Sequence, residues 1–67
     1  MRPSSRDYHF NIEWNSEDRL YYARCVEIPC CTGQGADILI AVVSARNSVR
    51  DYLEYREELG MPYPVPE

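Results

Sequence analysis

Residues 7–14 read DYHFNIEW, and their strict alternation decides the fold. Tyr8, Phe10, Ile12 and Trp14 fall on one side of an extended chain; Asp7, His9, Asn11 and Glu13 fall on the other. Period two in aromatic and β-branched residues predicts a half-buried strand. Asn15-Ser16-Glu17-Asp18 follows as a polar turn. Residues 19–28, RLYYARCVEI, are rich in strand formers and should pair back as the second strand of a hairpin. Tyr21, Ala23 and Cys25 share one side of it; Leu20, Tyr22, Arg24 and Val26 share the other, with room for a bulge near Val26. Pro29 ends this strand, because it lacks the N–H that a ladder would use. Residues 30–34, CCTGQ, suit a third, brief strand, with Gly33 and Gly35 supplying backbone freedom around it.

Beyond the third strand the periodicity changes. Asp37 is a helix N-cap candidate, since its carboxylate can accept orphan N–H bonds and complements the helix dipole. Residues 38–59 then read as helix, with Ile38, Ala41, Val42, Ala45, Val49, Tyr52, Leu53 and Arg56 at i, i+3, i+4 spacing. Gly60 is the expected stop, and Pro62, Pro64 and Pro66 keep the helix from resuming, so the tail should be extended. The fold class expected is α+β: a small three-stranded antiparallel sheet in β-β-β-α order, one long helix on one face, and an extended proline-rich tail. The whole chain, 1–67, is expected to be one domain, with a flexible lead-in over 1–6 and the tail over 61–67.

The chain has 67 residues, seven Arg, no Lys, eleven acidic residues and one His, for a formal net charge of −4. A chain of this size buries only about 60% of its unfolded surface, so its stability is marginal without help. A cleft between domains is excluded. The longest apolar run, residues 38–43 (ILIAVV), is too short to span a membrane. It lies mid-chain without a basic leader, which argues against a signal peptide. The scattered arginines form no basic stripe, so direct nucleic-acid binding is not expected; an acidic surface suits a basic protein partner better. Three cysteines, Cys25, Cys30 and Cys31, in a chain without a signal sequence suggest reduced thiols and a cytoplasmic setting.

Candidate chemistry is sparse. Asp7, Glu13, Glu17, Asp18, Glu27 and Asp37 could in principle pair around Mg²⁺ or move protons, but their positions fit turns, a cap and a solvated strand face. His9 lies on the polar side of the first strand, with no nucleophile and orienting partner in view. Gly33-Gln34-Gly35 ahead of a helix could cradle an anion, yet the Asp37 charge would repel it. No catalytic residue, metal site or cofactor is therefore expected, and the chain is not expected to be an enzyme. The oddity is at the helix start. Leu39, Ile40 and Val43 are apolar but lie off the core stripe. A helix apolar nearly all round is buried on more than one side, and one small sheet cannot cover it. A homo-oligomer, at least a dimer, with Leu39, Ile40 and Val43 in the interface is expected.

The order of these residues resembles a known family. Residues 21–31, YYARCVEIPCC, followed by Gln34-Gly35, resemble the HicB-like antitoxin pattern: Tyr-Val-Ala, a short gap, Pro-Glu-Leu-Pro-Gly-Cys, then Gln-Gly and a helix beginning Thr-x-Glu-Glu-Ala. The helix after Asp37 and the run Gly60-Met61-Pro62-Tyr63-Pro64 resemble the family's helix and its Gly-x-Pro-x-Pro tail. The likeness spans residues 8–66. It departs from the pattern where Val26 stands for the first Pro, Cys30 for the Gly before the Cys, and Leu39 and Ile40 for the acidic pair at the helix start. The resemblance implies a partial ribonuclease-H-like fold without the nuclease's metal-binding carboxylates. It also implies an antitoxin that covers the active site of a small, basic HicA-type ribonuclease toxin, itself of double-stranded-RNA-binding-like fold. A short stand-alone member is expected, without the DNA-binding domain many members carry. Glu17, Asp18 and Glu27 are the candidate toxin-facing residues. The alternatives are an orphan homo-oligomeric interaction protein with no toxin, and a degenerate nuclease built around Glu13.

Overall fold

A computed structural model describes residues 3–67. Three strands, β1 (Phe10–Asn15), β2 (Leu20–Cys25) and β3 (Thr32–Gly35), form an antiparallel sheet in the order β1-β2-β3, and one helix, α1 (Ile38–Glu58), follows. The α+β class and the β-β-β-α order are as the alternation and the change of period require. Phe10 pairs with Cys25 and Trp14 with Tyr21 across the hairpin; Tyr21 pairs with Gly35 and Arg24 with Thr32 on the other side of β2. That register puts Phe10, Ile12, Trp14, Tyr21, Ala23, Cys25, Gly33 and Gly35 on the helix side.

Boundaries move by a few residues from the sequence reading. Residues 16–19 make the turn, and β2 ends at Cys25 rather than Ile28. The chain bends at Val26 and Glu27, and a turn closed by Cys31 N–H donating to Ile28 O carries it into β3, which begins at Thr32 rather than Cys30. Asn15 Oδ1 accepts from the Glu17 and Asp18 N–H groups at 3.0 and 3.1 Å, and Arg19 closes the turn at φ 53°. Where a flexible lead-in is expected over 1–6, Ser5–Asp7 instead form a 3-10 turn held by a capping box between Ser4 and Asp7. Met1 and Arg2 lie outside the described residues.

Asp37 caps α1 through its carboxylate, which accepts from Ile40 N at 2.8 Å. At the other end Gly60 takes φ 65°, its N–H donates to Glu57 O, and Met61 N–H donates to Arg56 O. This paired Schellman arrangement satisfies carbonyls the helix leaves over. The tail runs back over the body: Tyr8 Oη donates to Pro64 O at 2.6 Å, and Tyr63 packs on the core.

The core has two parts. Tyr8, Cys25, Ile28, Cys31, Val49 and Leu53 form the larger, with Phe10, Tyr52 and Tyr63 against it. Ala23, Ala41 and Ala45 form the smaller. Its residues are small because helix and sheet meet there at backbone distance. A Cβ on Gly33 would lie 2.7 Å from Ala41 O, and one on Gly35 would lie 2.8 Å from Ala41 N. Neither glycine has positive φ, so they serve close approach, not the backbone freedom the sequence suggested.

Two expectations about burial need correction. The apolar side of β1 is only partly covered: Phe10 is half-buried, but Ile12 and Trp14 are exposed. The helix lies mainly over β3 and β2 and reaches β1 least, so Ile12 and Trp14 are left partly uncovered. On the helix, Ala41, Ala45, Val49 and Leu53 are buried at strict i+4 spacing, whereas Ile38 is exposed. Ile40 already sits on Gly35, the last residue of β3, so the first turn overhangs the sheet.

Candidate partner-binding surfaces

The side of the sheet away from α1 is open. Asn11, Glu13, Trp14 and Asn15 of β1, Tyr22, Ala23 and Arg24 of β2, and Thr32 of β3 line a depression of about 480 Å³ there. Register brings Asn11, Arg24 and Thr32 into one row and Glu13, Tyr22 and Gln34 into the next. The acidic turn joins β1 to β2 next to Asn15. Glu17 and Asp18 are both exposed, and Asp18 Oδ2 accepts from Tyr22 Oη at 2.6 Å. That bond raises the Tyr22 pKa, with burial and the Asp18 charge adding to it. Asp18 is thus tied to the polar face through Tyr22, and Glu17 is exposed beside it in the turn.

Glu27 is placed elsewhere. Its side chain is only 3% exposed and cannot face a partner. Its carboxylate accepts from His9 N at 3.0 Å and Glu67 N at 2.8 Å, and the His9 ring Nδ1 lies 3.0 Å away. Burial pushes this carboxyl up, but the His9 ring and the N–H groups of Glu67, His9 and Glu27 itself outweigh it and hold the pKa at about 2. Glu27 therefore ties the entry to β1 and the tail to the bend after β2. Sequence reasoning missed this because an acidic residue beside a proline turn has the same signature as a solvated one.

Two of the other candidate carboxylates are structural. Asp7 belongs to the capping box and Asp37 caps α1. Among the described residues no group of three or more His, Cys, Asp or Glu is arranged to hold a metal ion. All three cysteines are unpaired; Cys25 and Cys31 are buried and Cys30 is exposed. Burial raises the Cys25 thiol. Burial, with Cys30 and Cys25 nearby, pushes Cys31 up to about 12. Both are core groups, inert at neutral pH.

Leu39, Ile40 and Val43 are exposed, as the helix pattern implied. The structure adds Ile12, Trp14 and Ile38, which the sequence assigned to the core. No helix among the described residues is long and apolar enough to cross a membrane. Comparison with family models, with curated proteins and with solved structures finds no match to this chain.

Proposed function

We propose that the chain is a HicB-like, antitoxin-type protein-binding module that neutralises a small basic HicA-type ribonuclease by covering its active site. The observation that carries this reading is the uncovered polar face of the sheet, to which Asp18 is tied through the Tyr22 hydroxyl. A sheet face left open in a chain this small is surface available to a partner, and the net charge of −4 favours a basic one. The order of motifs from Tyr21 to Pro64 supports the same family reading. The mechanism is steric: the module occludes the RNA site and contributes no catalytic group, metal or cofactor, and it binds no nucleic acid directly. Action in the cytoplasm follows from a ribonuclease target.

The test is co-expression with the toxin-like product of an adjacent reading frame. A stable complex, loss of RNA cleavage in that complex, and association that slows as salt rises are expected. Glu17→Gln with Asp18→Asn should slow association severalfold and leave dissociation nearly unchanged, since exposed rim charges act mainly on encounter. Absence of a complex, or an association rate indifferent to ionic strength, overturns the reading. Metal-dependent RNA cleavage by the chain itself, lost in Glu13→Gln, would favour the nuclease instead.

A further inference from the structure

We propose that the outer edge of β1 takes an added β-strand from the basic partner, an extended segment in which apolar residues alternate with Lys or Arg; this rests on the antitoxin-type reading and names the part of the partner that is gripped. The ladder shows which backbone groups are unused. Val26 N–H donates to His9 O at 2.8 Å, and Cys25 N–H donates to Cys31 O at 3.0 Å. Hydrogen-bonded and non-bonded pairs alternate along an antiparallel ladder. With Asn11 opposite Arg24 and Glu13 opposite Tyr22, these β1 residues turn their N–H and C=O groups toward β2, as His9 does. Ile12 and Trp14, opposite Ala23 and Tyr21, turn theirs outward to the edge.

The two edges of the sheet differ. On the outer side of β3, Ser48 Oγ of α1 donates to Thr32 O at 3.0 Å, and the helix backbone lies against Gly33. The helix thus guards that edge. On β1, residues 11–14 are all exposed. Proteins ordinarily protect such an edge with Lys, Pro or a bulge. β1 has no Lys or Pro, and its six pairs with β2 run without a bulge. An unguarded edge of this length can template another strand, the main chain giving affinity and alternate side chains giving specificity.

The neighbours of the edge set the chemistry of the occupant. A residue placed opposite Ile12 or Trp14 shares their helix-side face. Ile12 is 38% and Trp14 52% exposed there, so an apolar side chain beside them removes both from water. A residue placed opposite Glu13 lies on the polar face. Glu13 is the one charged residue of β1, and Tyr22 and Gln34, in its row, carry no charge. A cation is the complement, and a net charge of −4 favours its approach. The β1 of a second copy would offer Glu13 again and no cation, so it does not match this edge.

Trp14 is the sole tryptophan and stands on the edge, so its emission reports occupancy. The probe is a capped peptide of about seven residues in which Val and Lys alternate. One control carries Glu for Lys; the other is N-methylated at every Val, the residues whose N–H groups would meet Ile12 and Trp14 in an antiparallel ladder. The Val/Lys peptide is expected to shift Trp14 emission to the blue, saturably, and to slow exchange of the Ile12 and Trp14 amides read by NMR. Both controls should bind about tenfold more weakly or worse. Glu13→Lys, at an exposed site, should reverse the preference between the Lys and Glu peptides. Ile12→Pro removes an outward N–H that β2 does not use, so the fold, checked by circular dichroism, should persist while binding is lost. Equal binding of the N-methylated and parent peptides, or saturation without amide protection, overturns the proposal. So does protection of these two amides by raising the protein's own concentration without peptide, which assigns the edge to a second copy. A toxin complex that leaves the two amides unprotected overturns the edge site alone. Peptide binding with no toxin complex overturns the antitoxin reading and leaves the edge site standing.

Discussion

Glu27 shows how one side chain can hold three segments. Its carboxylate collects N–H donors from β1's approach and from the tail while lying out of solvent. The charged form is favoured because these donors outweigh the burial that opposes it. The sign of the pH effect follows. With the folded pKa at about 2, below the ordinary 4.5, Glu27 stabilises the fold fully above pH 4.5, and that contribution is lost as pH falls toward 2. Glu27→Gln should therefore lower stability at neutral pH and flatten its decline across this acid window. Urea midpoints measured from pH 7 down to the acid limb check this. An unchanged slope in the variant would mean other carboxylates carry the acid sensitivity. The residue's role was not legible from sequence, because its donors lie 18 and 40 positions away. The exposed acids of the turn were legible, since Asn15 and its neighbours announce the turn locally.

At the scale of elements, local chemistry and long-range packing divide cleanly. Both ends of α1 could be read from Asp37 and Gly60, because caps act within a turn of the helix. The hairpin could be read from its alternation. What α1 covers could not, since the sequence does not say which strands lie beneath it. The answer lies in Gly33 and Gly35, whose missing side chains let the helix backbone settle on β3. This pulls α1 away from β1 and leaves Ile12 and Trp14 uncovered. Gly33→Ala is the test at this scale. Its Cβ would meet the backbone of Ala41, Ser44 and Ala45, which cannot yield as a side-chain tip can. A loss of about 3 kcal/mol is expected, the upper end of the overpacking range. Chemical denaturation measures it. A loss under about 1 kcal/mol would show that the helix shifts freely and that the close approach is incidental.

Over the whole molecule, packing is uneven from end to end. The end holding Tyr8, Ile28, Val49 and Leu53 is closed by the tail, with Tyr63 against the core and Arg56 stacked on Tyr52 at 4.9 Å. The other end has Ala23, Ala41 and Ala45 inside, with Phe10 and Tyr21 packed against them; large hydrophobics are exposed at both ends, Leu39 and Ile40 here and Leu59 and Val65 at the tail end. Helix propensity does little to even this out, because most helical stability in a protein comes from the face the helix buries. Amide protection should grade along α1 accordingly. The N–H groups near Val49 and Leu53 should exchange only through global opening. Those of the second turn, from Val42 to Ala45, should exchange through a smaller opening at dilute protein. If a second copy covers Leu39 and Val43, protection in that turn rises with concentration toward the value at Val49, because assembly stabilises only the closed form. Hydrogen exchange followed by mass spectrometry at two protein concentrations resolves the two halves. Equal protection along the helix at both concentrations would mean the alanine cluster suffices by itself, and the exposed aliphatics would then add nothing to the stability of this end.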